Sequence, residues 1–158
     1  MSKKSGKIAA LIESFRGREL SAYYLGYFAC FNQQLFYEAH DVLEEMWLPA
    51  RREADGDFYK GLIQLAGAFV HLQKNRLRPS AALFKLARTN LTKYPAPPAP
   101  LDVAAVLALI EDWLARLETG GFAVNPLRPD NAPKLHPGVV PGTPPSGGSN
   151  RPNNASAA

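Results

Sequence analysis

The segment from Phe58 to Asn75 limits the possible folds more than any other, because it has a helical pattern that is apolar almost all round. Such a helix must be surrounded, so it predicts the central member of a bundle. Its polar exceptions line up: Lys60, Gln64, His71 and Asn75 share one narrow stripe, with Gly67 between Gln64 and His71. Glycine inside a helix costs about 0.5–1 kcal/mol relative to alanine, so a close helix or a ligand is expected beside Gly67.

The segments available to surround it also read as helices. From Asn32 to Trp47 the expected helix has Asn32 as its N-cap, Phe31 and Phe36 as a hydrophobic staple, and Pro49 at its end. On a helical wheel Leu35, Phe36, Ala39, Val42, Leu43, Met46 and Trp47 form one apolar arc. Glu38, Asp41 and Glu45 fall opposite and are expected in solvent. His40 lies at the border of the arc beside Trp47, and Glu44 follows one turn on. At that spacing a carboxylate can hydrogen-bond an imidazole and fix its tautomer or charge.

A short helix is expected from Lys7 to Phe15, ended by Gly17, and another from Leu20 to Phe31 with a dense aromatic run suited to a core. Arg78-Pro79-Ser80 opens a helix to about Tyr94, expected to bury Leu83, Leu86 and Ala87, with Leu91 and Tyr94 as further candidates. After a proline-rich spacer, Asp102 caps a last helix whose inward face is Val103, Val106, Leu107, Ile110, Leu114 and Leu117, and Gly120-Gly121 stops it. The fold class is therefore all-α, a compact bundle of about five principal helices. From Ala123 onward there are eight prolines and almost no large apolar residues, too little to offset ordering entropy. The expected organisation is a basic segment over 1–18, a helical domain over 19–120 and a disordered tail over 121–158.

Composition removes several functional classes. The one cysteine, Cys30, lies in an apolar run, which leaves no disulfide framework and no cysteine metal site. No apolar run approaches the ~20 residues that span a bilayer. Ile8 to Ile12 falls short of the ~7–15-residue apolar core of a signal peptide, so a cytoplasmic setting with no membrane partner is expected. Dinucleotide and P-loop fingerprints, the nucleophile elbow, H-E-x-x-H and zinc-finger spacings do not occur.

One set of residues carries a resemblance. Phe31-Asn32, Phe36, Glu38-Ala39-His40, Glu44 and Trp47 resemble the F-N-x(3)-[FY]-x-E-A-H-x(3)-E-x(2)-W signature of the family called domain of unknown function 309. Gly61-Leu62-Ile63-Gln64-Leu65-Ala66, followed by His71, is similar to that family's G-L-I-Q-x-A…H block, and the likeness covers roughly Tyr24 to Tyr94. This chain departs from the pattern near Gln34, where the family often has glycine, and at Lys74-Asn75-Arg76, where it usually has Gly-Asn. The resemblance implies a small all-helical fold and no activity.

Charge is segregated along the chain. From Gln33 to Asp57 there are seven acidic and two basic residues; from Phe58 to Leu101 there are seven basic residues and no acidic one. The plainer reading is two solvated faces of opposite sign. The sharper one makes Lys74, Arg76, Arg78, Lys85, Arg88 and Lys93 a patch for nucleic acid or another anion, although no aromatic residues interleave with them as single-strand binding uses.

If the polar border of the Asn32–Trp47 helix meets the stripe on the central helix, His40, Glu44, Gln64 and His71 form a cluster walled by Trp47. Three meanings are open. The cluster can be a hydrogen-bonded network that sets helix register. It can line a pocket for a small molecule or anion, with the histidines and Gln64 as donors. It can hold a divalent metal on His40, Glu44 and His71, since two imidazoles and a carboxylate are a known catalytic ligand set. The last two leave room for an enzyme, hydrolase-like, with His40 as general base or ligand, Glu44 orienting it and His71 assisting. Whether the protein is an enzyme is open at this stage.

Overall fold

The computed structural model describes residues 3–12 and 21–138, and among them the chain forms six α-helices. These are α1 (Lys3–Ile12), α2 (Ala22–Asn32), α3 (Phe36–Trp47), α4 (Gly56–Gln73), α5 (Leu77–Thr92) and α6 (Val103–Thr119), with a single 3₁₀ turn, Leu48–Ala50, after α3. Among the described residues, the one pairing of extended backbone is an isolated bridge between Leu101 and Pro137. The all-α expectation holds. The expected stop at Gly17 lies outside the described residues.

The central position of α4 follows from its apolar circumference. It packs most extensively on α5 and then on α3. Phe69 shows why no other helix could take this place. Its ring meets Phe31 of α2 at 5.5 Å between centroids, Phe36 of α3 at 5.0 Å, Phe84 of α5 at 5.2 Å and Trp113 of α6 at 5.1 Å. Edge-to-face and offset pairs at these distances each add about 0.5–1.5 kcal/mol beyond area burial. Tyr27, fully enclosed, satisfies its hydroxyl by donating to the Leu62 carbonyl at 2.6 Å.

The α2–α3 junction corrects the reading of Asn32. That residue ends α2 instead of capping α3, and Leu35 stands before α3 with no side-chain cap. Gln34 takes the left-handed conformation (φ 63°), its amide reaches the Phe31 carbonyl, and the Leu35 amide reaches Cys30 at 2.9 Å. This paired closure satisfies the last carbonyls of α2 and turns the chain sharply. Phe31 and Phe36 do touch, edge to face at 4.9 Å, but across the corner between two helices. The same closure ends α4, where Asn75 has φ 58° and the Arg76 amide bonds the His71 carbonyl at 2.8 Å. Gln34 and Asn75, which lie in the two stretches that depart from the family pattern, both take left-handed conformations that glycine adopts most easily.

Three further expectations change. Ile8 and Ile12 of α1 are buried in the common core, and Lys7 pairs with Glu38 at 3.2 Å, so this part of the basic segment packs with the helical domain. Asp41 was expected in solvent, yet its side chain is only 13% exposed, on a helix that α1 also packs against. On α5 the buried stripe is Leu77, Ser80, Ala81, Phe84, Ala87, Asn90 and Leu91, which leaves Leu86 50% exposed. On α6, Asp102 caps as expected, accepting from Ala105 at 3.0 Å, and Trp113 joins the buried face.

The reading of 121–158 as a tail applies to less of the chain than expected. Residues 121–138 lie across the α2–α3 corner: Asn32 donates to the Leu135 carbonyl and accepts from the Leu135 amide, each at 2.7 Å. Gln34 donates to the Pro129 carbonyl at 2.9 Å, and Asn125 donates to Leu72 at 2.6 Å. Leu135 is buried. The segment is held by these polar side chains and by a few scattered apolar ones, Phe122, Leu127, Ala132 and Leu135, which is why composition alone missed it. Residues 139–158 lie outside the described residues.

Candidate functional site

The polar stripe of α4 is held outward because the opposite side of the helix carries Phe58, Leu62, Leu65, Phe69 and Leu72 into the core. The stripe faces a pocket of about 280 Å³ between α3, α4 and α5. Gln64, Gly67 and His71 line it from α4, together with Ile63 and Val70. Tyr37 and His40 contribute from α3, Leu83 from α5, and Lys74 from the end of α4. Gly67 has the neighbour its sequence position demanded: a Cβ there would stand 3.1 Å from Leu83 Cδ1.

Three of the five expected site residues, His40, Gln64 and His71, therefore border one space, but none bonds another. Glu44 and Trp47 do not line it. His40 Nδ1 is 3.1 Å from Asp41 Oδ1, so Asp41 makes the short contact expected of Glu44. A carboxylate accepts only, which leaves His40 Nε2 with a lone pair when the ring is neutral. The Tyr37 and His40 rings are parallel to within 4°, and Lys74 Nζ lies 6.0 Å from the Tyr37 centroid. Trp47 Nε1 is enclosed with no hydrogen-bond partner.

His71 Nδ1 is likewise enclosed without a partner, whereas Nε2 is not closed off in this way. The imidazole pKa lies below its ordinary value, chiefly because burial penalises the charged ring and further because Arg76 and Lys74 are nearby cations. Gln64 Oε1 accepts from Asn90 Nδ2 at 2.8 Å, Asn90 Oδ1 accepts from Lys93 at 3.1 Å, and Lys93 pairs with Asp57 at 2.7 Å. Asn90 is a polar neighbour of the pocket that sequence reasoning missed. Its one sequence signal was a polar residue on the inward face of α5.

For a metal, the grouping differs from the expected one. Among the described residues, the ligand atoms of His40, Asp41 and Glu44 lie within 4.8 Å of one another, and His71 is not in that group. The combination of His40, Glu44 and His71 is therefore not assembled. An ion held by one imidazole and two carboxylates of a single helix would be an oxygen-rich site. Cys30 offers no nucleophile, since burial pushes its thiol up to about 11. The basic patch is partly engaged: Arg88 pairs with Glu111 at 2.9 Å, Lys93 with Asp57, and Arg78 lies over the Phe122 ring at 4.6 Å.

No curated protein and no solved structure matches this chain. The family comparison does find a match, and every residue that lines the pocket falls inside it. Residues 24–83, from α2 into α5, match the model of the domain of unknown function DUF309.

Proposed function

We propose that the protein is a helical binding protein whose pocket between α3, α4 and α5 takes a small molecule. One observation carries this reading: His40, Gln64 and His71 surround about 280 Å³ of open space instead of bonding one another. A register network would close those side chains into mutual pairs and leave no room between them. A small pocket with mainly apolar walls and a few converging polar groups is how ligand sites are generally built. The volume suits a fragment-sized ligand of one ring or a short chain. The cytoplasmic setting expected from the sequence belongs to the same proposal, and cell fractionation checks it. Among the described residues, no helix is long and apolar enough to cross a membrane.

The test is a fragment titration followed by NMR on labelled protein, with Val70→Phe as a variant that fills the pocket. Saturable shifts confined to His40, Gln64, His71 and Lys74, lost in Val70→Phe, support binding. If no fragment shifts those resonances at millimolar concentration, and apolar replacement of Gln64 and His71 raises stability, the pocket is only a packing defect.

A further inference from the structure

The polarity of the pocket is set from outside it by a chain of hydrogen bonds. Lys93 is a donor with no acceptor, so the Asn90 atom facing it at 3.1 Å has to be the carbonyl oxygen. That turns the Asn90 amide nitrogen toward Gln64, and the Gln64 atom 2.8 Å away has to be its oxygen. The NH₂ group is then the free end of Gln64, and Gln64 lines the pocket. Asp57, 2.7 Å from Lys93, anchors the far end of the chain. This assignment follows from donor and acceptor capacity and does not depend on telling nitrogen from oxygen in an amide.

Lys74 and His71 agree in sign with the Gln64 NH₂, whereas the neutral His40 ring, held through Nδ1 by Asp41, offers Nε2 as an acceptor in the lining. Lys74 is a cation at the rim, and no carboxylate lines the space. His71 has one nitrogen enclosed without a partner, so the proton is better placed on Nε2, where a ligand can accept it. The remaining walls, Ile63, Val70, Leu83 and the Tyr37 ring, suit an apolar or planar body.

We infer that the pocket selects a small organic anion, a carboxylate or comparable oxyanion on a compact apolar body, and that Asn90 and Lys93 act as positioning residues by turning the Gln64 NH₂ into the site. The inference rests on the pocket being a binding site and adds the ligand's charge and the device that selects it. Asn90 and Lys93 lie beyond the segment that matches the family, on α5 and at its end.

Benzoate and benzamide, one a carboxylate and the other its neutral isostere, are matched probes for an NMR titration of the full chain. Charge-assisted hydrogen bonds are about twice as strong as neutral ones, so benzoate is expected to bind about tenfold more tightly. In Asn90→Asp the new carboxylate accepts from both Lys93 and the Gln64 NH₂, which turns Gln64 Oε1 to the pocket. Benzoate should weaken about tenfold there while benzamide is retained, and the Gln64 NH₂ resonances should stop responding to either probe. The added negative charge alone would weaken benzoate but would leave those resonances responsive to benzamide. Lys93→Met releases Asn90 by removing one positive charge and serves if Asn90→Asp does not fold; benzoate should then weaken about threefold, and the Gln64 NH₂ resonances should lose part of their response to benzamide, which the lost charge alone would leave intact. If neither probe binds the wild-type pocket, this inference is overturned, and the binding reading falls with it only if the fragment titration also finds no ligand. If both bind equally, only the anion selectivity is overturned. Unchanged benzoate affinity in the folded position-90 and position-93 variants overturns the relay.

Discussion

The two sides of α4 are built from the same helix and behave in opposite ways. One side is closed by rings from four other helices converging on Phe69, and its buried hydroxyl, that of Tyr27, has a partner. The other side carries Gln64, Gly67 and His71 up to an opening that neither α3 nor α5 fills. On the closed side, side-chain volume matches the space between helices, as close packing requires. On the open side a glycine and polar side chains that do not bond one another leave a gap, and one imidazole nitrogen there is enclosed without a partner. Stability is therefore expected to reside in the first side and recognition in the second.

The largest effect should come from breaking the closed side. Phe69→Ala removes a fully buried ring with contacts to four helices and is expected to cost about 3–5 kcal/mol, measured by urea unfolding. A loss below about 1 kcal/mol would mean that the rings repack freely and that the contrast between the two sides is false. His71→Leu, on the open side, should change stability by less than about 1.5 kcal/mol while removing ligand-dependent shifts.

A second pair concerns the corner beneath residues 121–138. Asn32→Ala removes both bonds to Leu135 and leaves backbone groups with fewer partners, so a loss of about 1–3 kcal/mol is expected. Amide exchange should accelerate around Leu135 and stay unchanged in α4. Uniform acceleration would show that this segment unfolds with the core and is not a separate strap. Gln34→Gly relieves a left-handed residue, a conformation that costs other L-residues about 1–2 kcal/mol. It also loses the exposed bond to Pro129, so a net gain of up to about 1 kcal/mol is expected from thermal unfolding.

The smallest effect is a pH slope on the open side. The folded pKa of His71 is depressed, so between it and the unfolded value of about 6.5 the native state binds fewer protons than the unfolded chain. Stability then rises with pH through that window and falls as pH drops below about 6.5. His71→Asn should flatten this slope between pH 7 and 5.5 and leave the difference between pH 7 and 8 unchanged. An identical slope in the variant would place the acid sensitivity elsewhere.

Much of the fold was legible because its signals are local. The all-round apolar pattern of α4 predicted its central place, and Asp102 with Gly120-Gly121 predicted the limits of α6. The polar stripe also named three residues that border the pocket, since helical spacing alone places Gln64 and His71 on one line. The errors lie where a local signal had two uses. Asn32 is a good N-cap in isolation, but the left-handed turn at Gln34 closes α2 first and frees the Asn32 side chain to hold Leu135. Asp41 sits on the polar side of α3 and was read as solvated, yet it ended 13% exposed in contact with His40.

What the sequence by itself determined is the set of helices, the face that each buries, and a polar line along the central one. Periodicity and capping act within a few residues and can be read without knowing the neighbours. The tertiary structure alone decided that His40, Gln64 and His71 surround a space instead of joining, and that Asn90, twenty-six positions from Gln64, sets its polarity. Those outcomes depend on how closely α3, α4 and α5 approach and on which end of an amide meets a distant lysine. Such distances arise from packing across the chain, and no spacing within one helix encodes them.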